Sequence, residues 1–172
     1  MIGGVAVATH SVDLGPDAVL GGAARVAVII SPDGSRLVYL TQRQLATRLL
    51  DQQQGTLLAG TEGAADPFFS PDGLWIGFFA DGKLKKISVQ GGAAITLCDA
   101  GADRGGSWGE DGNIVFAGNT RSGLLRVSDA GGIPQPLTEL DLQKGEITHR
   151  FPQILPGGKG GPVHGEQQCL GL

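Results

Sequence analysis

Six polar residues stand where short apolar strands give no reason for them: Arg25, Asp66, Asp103, Arg104, His149 and Arg150. Each lies four to six residues ahead of a recurring turn. Arg25, Arg104 and Arg150 carry forked N–H donors that match a carboxylate or an acidic peptide. Asp66 and Asp103, joined by Glu62 or Asn119, offer hard oxygen ligands of the kind Ca²⁺ takes. His149 carries the imidazole most often used as a general base. The same residues could also pair as salt bridges between neighbouring elements. Binding surface, metal site and structural ion pairs are therefore the three uses open to this set.

Other chemistry has weaker support. No G-x-S-x-G elbow is present, and Ser107, Ser122 and Ser128 have no neighbouring His in sequence. Cys98 follows an apolar strand and reads as a buried thiol. With Cys169 it makes two cysteines, without a CxxC or a zinc spacing. The stretch Gly101 to Gly106 lacks the Lys of a phosphate-binding loop. Net charge is −4, which disfavours nucleic acid and anionic membranes as partners. Lys83, Lys85 and Lys86 alternate partly with Leu84 and Ile87, as on a solvated strand face. The N-terminus has no basic n-region or long apolar run, so a cytoplasmic protein is expected, or a periplasmic one if an export signal has been removed. No stretch suggests a membrane span.

The elements that must position these residues come from a repeat. Ser31-Pro32-Asp33-Gly34 recurs as Ser70-Pro71-Asp72-Gly73 and, weakened, as Gly109-Glu110-Asp111-Gly112, in two steps of 39 residues. A degenerate copy, Leu155-Pro156-Gly157-Gly158, follows after 46, which places a seven-residue insertion near Asp141 to Glu146. A bulky apolar residue precedes each turn: Ile30, Phe69, Trp108 and Ile154. Pro presets φ near −65°, Asp bonds its own backbone, and Gly supplies positive φ. Three further short strands follow each full turn. In the first unit they fall at 37–40, 46–50 and 56–58. Trp75 and Trp108 sit inside this pattern and read as core packing rather than as a stacking platform.

Four short antiparallel strands per ~40 residues is the content of one β-propeller blade. The 30 glycines among 172 residues fit that turn density and argue against helices, whose interiors Gly weakens. The expected fold is all-β and propeller-like, with about three four-stranded blades and part of a fourth. Blades are expected at 21–62, 63–102 and 103–147, the first strand of a truncated blade at 148–160, an irregular tail at 161–172, and an N-terminal segment at 1–20 that supplies a closing strand. Closed propellers hold roughly 4–8 blades, so a homo-oligomer that completes the ring is expected.

The turns Phe69-Ser70-Pro71-Asp72-Gly73 and the strand Trp75-Ile76-Gly77-Phe78-Phe79 resemble the blade signature of the TolB-like, WD40-like propeller repeats. Thr148-His149-Arg150-Phe151-Pro152-Gln153 with Leu155-Pro156-Gly157-Gly158 resembles the propeller segments attached to bacterial Ser/Thr protein kinases. None of the kinase signatures is present, so the chain is not itself a kinase. The resemblance implies a scaffold that binds a protein or small ligand at the channel mouth. An alternative comes from similarity to lactonase-type propellers, which carry a central Ca²⁺. It would make the chain a hydrolase of lactones or esters, with Asp66, Asp103 and Glu62 on the ion and His149 as base.

Overall fold

Each turn motif builds itself from its own side chains. The Gly34 N–H donates to the Ser31 carbonyl at 2.8 Å, and Gly73 repeats this with Ser70 at 2.9 Å. Gly34 and Gly73 have φ of 72° and 70°, where any Cβ would be strained. The Ser70 hydroxyl donates to Asp72 Oδ1 at 2.5 Å and accepts the Trp75 N–H at 2.9 Å. Ser31 makes the same two bonds, to Asp33 and from Arg36. One hydroxyl thus fixes both ends of the reversal, which sets the register of the two strands it joins.

The structure, a computed structural model, describes residues 14–15, 18–19, 26–42, 44–101 and 104–155, together with the backbone of 164–167. Fourteen strands occur among them. The first sheet holds β1 (Val28–Ile30), β2 (Arg36–Leu40), β3 (Leu45–Leu49) and β4 (Thr56–Leu57). The second holds β5 (Ala65–Phe69), β6 (Trp75–Ala80), β7 (Lys83–Ser88) and β8 (Ile95–Asp99). The third holds β9 (Gly106–Trp108), β10 (Asn113–Phe116), β11 (Leu125–Ser128) and β12 (Gln135–Pro136). In each the strands run in sequence order and pair antiparallel, which is the meander of a propeller blade. A two-stranded sheet follows, β13 (His149–Gln153) with β14 (His164–Gln167). β14 is a difference from the expected irregular tail. It supplies the backbone pairing that an isolated β13 would lack.

Packing is face to face between successive sheets. Val38, Leu40, Leu45 and Leu58 of the first sheet meet Ile76, Phe78, Ile87 and Val89 of the second. Phe68, Phe79, Leu84 and Leu97 meet Trp108, Ile114, Phe116 and Val127 across the next gap. Phe78 and Phe116 are fully buried, each contributing roughly 1.5–3 kcal/mol of burial. Phe68 lies over Gly77 of its own sheet and Gly106 of the next, where side chains would collide with its ring. Val115, Ala117, Leu124 and Leu137 carry the stacking on to Ile154 beyond β13. The seven-residue insertion forms a 3₁₀ turn over Leu142–Lys144, capped by the Asp141 carboxylate and closed by Gly145 at φ 76°. No helix among the described residues is long and apolar enough to cross a membrane.

Candidate functional site

The innermost strands β1, β5, β9 and β13 begin at the same end of their sheets, and equivalent positions at the last three share a backbone feature. Asp66, Gly105 and Phe151 occupy one repeat position and have φ of 44°, 85° and 49°. The pairing register slips beside Asp66 and Phe151, between Ala65 and Phe68 and between Arg150 and Gln153. A bulge of this kind bends the strand and re-aims its side chains. For Asp66 and Phe151 the left-handed backbone costs about 1–2 kcal/mol each.

These bulges tie one strand to the next. The Val26 N–H donates to Asp66 Oδ1 at 2.9 Å, and the Phe151 N–H donates to the Arg104 carbonyl at 2.9 Å. Asp66 is 1% exposed, so this carboxylate is part of the inner wall. A concave groove of about 620 Å³ runs along the four strands, lined among others by Ile30, Asp66, Phe69, Ser107, Phe151 and Gln153. Its size lies within the usual range of small-ligand sites, roughly 300–1,000 Å³.

The residues expected at the rim divide. Asp66, His149 and Arg150 lie at the starts of inner strands, and Arg104 lies two residues ahead of β9. Arg25 and Asp103 lie outside the described residues. Glu62 is exposed and accepts the Gly60 N–H at 3.3 Å within its own loop. Among the described residues no three His, Cys, Asp or Glu side chains gather on one point. Of the expected carboxylate ligands only Asp66 and Glu62 fall among the described residues, and a Ca²⁺ ion takes six to eight oxygens. Arg150 is half-buried, and its Nε is buried without an acceptor among the described residues.

His149 sits in a chain of bonds that its sequence position does not announce. Its Nδ1 is 2.8 Å from Thr138 Oγ1, and its Nε2 is 3.2 Å from Glu146 Oε2. Thr138 Oγ1 in turn accepts the Leu124 N–H at 2.8 Å. Both ring nitrogens are thus engaged, so a base role would require the ring to release Thr138. The Asp141 N–H, and then His149, hold the Glu146 carboxyl below the usual carboxylate range. Glu three residues before His in an insertion was the available signal; Thr138, eleven residues away, had none.

The remaining candidates are quiet. Burial, and then Asp99, push the Cys98 thiol up to about 11, which leaves little thiolate at neutral pH. Lys83 pairs with Asp99 at 2.6 Å and Lys85 with Asp81 at 2.8 Å. Lys86 lies over two Trp rings.

Repeated four-stranded meanders, stacked face to face with inner strands lining a groove, define a β-propeller fold, here as three blades and part of a fourth. No family model matches the chain, and no curated protein matches it. Solved structures do. TolB from Acinetobacter baumannii is 20% identical with a TM-score of 0.53, over 60% of this chain and 29% of that one. A TolB candidate from Agrobacterium tumefaciens is 21% identical with a TM-score of 0.56, over 67% and 50%. An oligogalacturonate lyase in complex with manganese is 10% identical with a TM-score of 0.54, over 70% and 41%. The chain thus matches half or less of the length of each, and what they share is the fold.

Proposed function

We propose that the chain is a propeller binding scaffold whose groove mouth, at Arg104 and Arg150, takes an acidic partner: a glutamate-rich protein segment or a small carboxylate ligand. The observation that carries this is Arg150 Nε, buried with no acceptor among the described residues. A hydrogen bond from an arginine N–H to a carboxylate contributes roughly 1.5–3 kcal/mol. Phe151, next in sequence, is bonded to the Arg104 carbonyl, so the two arginines lie at, or just ahead of, the starts of adjacent strands at one rim. The TolB likeness supports a scaffold.

Calorimetric titration with a hexaglutamate peptide tests the reading. Saturable binding that weakens about tenfold or more in Arg150→Ala, and also weakens in Arg104→Ala, is expected. No binding at millimolar peptide, or binding indifferent to both changes, would overturn it.

The scaffold reading includes a second copy of the chain. The described sheets make three blades and part of a fourth, where closed rings hold roughly 4–8. A partner copy is proposed to supply the rest. Light scattering on the eluting protein should give twice the chain mass; a monomer at every concentration would remove this element.

A hydrolase or lyase reading has one residue in its favour, the buried Asp66 at the groove wall. A rise in melting temperature on adding Ca²⁺ or Mn²⁺, reversed by EDTA, would move the proposal toward it.

A further inference from the structure

A second cleft, of about 480 Å³, opens between the second and third sheets at their hairpin-turn ends. Trp75 opens β6 on one side, Trp108 closes β9 on the other, and Lys86 of β7 lies between them. The Lys86 ammonium is 4.8 Å from the centre of the Trp75 ring and 5.7 Å from that of Trp108. Asp72, Glu110 and Asp129 also line the cleft. Three carboxylates against one ammonium leave it net negative. The Ser70 hydroxyl, then the Leu74 N–H, hold the Asp72 carboxyl below the usual carboxylate range.

The repeat supplies an internal comparison. One 39-residue step earlier, the positions of Trp75, Lys86 and Trp108 hold Arg36, Thr47 and Phe69. There Arg36 simply donates to Thr47 Oγ1 at 3.0 Å. In the third blade the matching ladder positions hold Asn113 and Arg126, and the following strand leads into Ile154. Three junctions therefore close with three different sets, so blade stacking does not require two indoles around a cation. Both tryptophans of the chain are spent at this one place.

The structure assigns this cleft as a site for a guanidinium, presented by an arginine-bearing segment of a partner protein. Lys86 shows that a cation can sit within reach of both indoles at once. A guanidinium is planar and weakly hydrated, so it stacks on indole better than an ammonium does. Glu110, exposed at the rim, and Asp129 can then accept its N–H donors in bidentate fashion. Lys86 is the incumbent that the ligand must displace. An anionic ligand would face the three carboxylates instead.

Trp75 and Trp108 are the only tryptophans, so intrinsic fluorescence reports on this cleft alone. The test titrates N-acetyl-argininamide, and separately a short Arg-containing peptide, with sodium acetate as the anionic control. A saturable change with the two arginine probes and none with acetate is expected. Added salt should weaken it. Lys86→Met should bind about tenfold more tightly, because it removes the competing cation from the rings. The double change Glu110→Gln with Asp129→Asn should bind at least about tenfold more weakly. Melting curves confirm that each variant is folded. No saturable change, equal binding in Lys86→Met, or binding that survives the double change would each overturn the assignment.

Discussion

The Thr138 hydroxyl and His149 Nδ1 meet at 2.8 Å across the one insertion that breaks the repeat. The polarity of the surrounding bonds is consistent from end to end. Leu124 N–H donates to Thr138 Oγ1; with the ring proton on Nε2, Thr138 O–H donates to Nδ1 and Nε2–H to Glu146 Oε2, which also accepts the Asp141 N–H at 2.8 Å. Thr61 does the first of these tasks in the first blade, where it accepts the Leu45 N–H at 2.9 Å, but it donates to the Leu58 carbonyl. In the third blade the carbonyl has been replaced by an imidazole. The contact therefore fastens the insertion and the start of β13 to the third blade.

His149→Ala should lower stability by roughly 1–3 kcal/mol, since it leaves Thr138 and Glu146 without their shared partner. Urea unfolding with a two-state fit measures it. A loss below the error of that fit would show that the bond chain does not hold the insertion.

Gly123→Ala should weaken the same region from the other side. Its Cβ would overlap the Thr138 backbone carbonyl, which cannot rotate away as a side chain can. A cost of about 1–3 kcal/mol is expected, with slowed exchange lost at the Leu124 amide. An unchanged melting temperature would contradict the close approach.

Ser70 is 3% exposed, and Ser70→Ala removes a hydroxyl that serves both Asp72 and the Trp75 N–H. The loss should be about 1–2 kcal/mol by thermal or urea melts. Because the first turn is built identically, Ser31→Ala should cost a similar amount, and a neutral result at both sites would rule out the hydroxyl bridge as the element that fixes the hairpins.

Acid should act through the same turns. The Ser31 hydroxyl, and then the Ser35 N–H and hydroxyl, hold Asp33 down to about 2; Asp72 and Asp111 are also lowered, chiefly by Ser70 and Asn113. A carboxyl with a depressed folded value stabilises the fold above its ordinary value, near 4, and loses that contribution as the pH falls through the folded value. Urea midpoints should therefore drop between about pH 4 and pH 2. The double change Asp33→Asn with Asp72→Asn should flatten that drop. An equally steep drop in the double variant would place the acid sensitivity elsewhere.

Turn chemistry and period are written locally, and the sequence alone determined them. Ser-Pro-Asp-Gly encodes its own hydrogen bonds within six residues, so the hairpins, strand order and blade content follow from the 39-residue step. Asp66, Arg104, His149 and Arg150 were legible as strand-start polar residues by counting back from those turns. What they contact was not, because the deciding partners of Asp66 and His149 lie beside other strands. Asp66 meets Val26 from 40 residues away, and His149 takes Thr138 from another strand's end. Glu62 carries the right chemistry for a cation, but its loop keeps the side chain beside Gly60. The Trp75–Lys86–Trp108 arrangement depends on how two sheets face one another, so its rings read as plain core until the blades are stacked. Local bonding fixes the repeat; only the packing of one repeat on the next decides which side chains share a site.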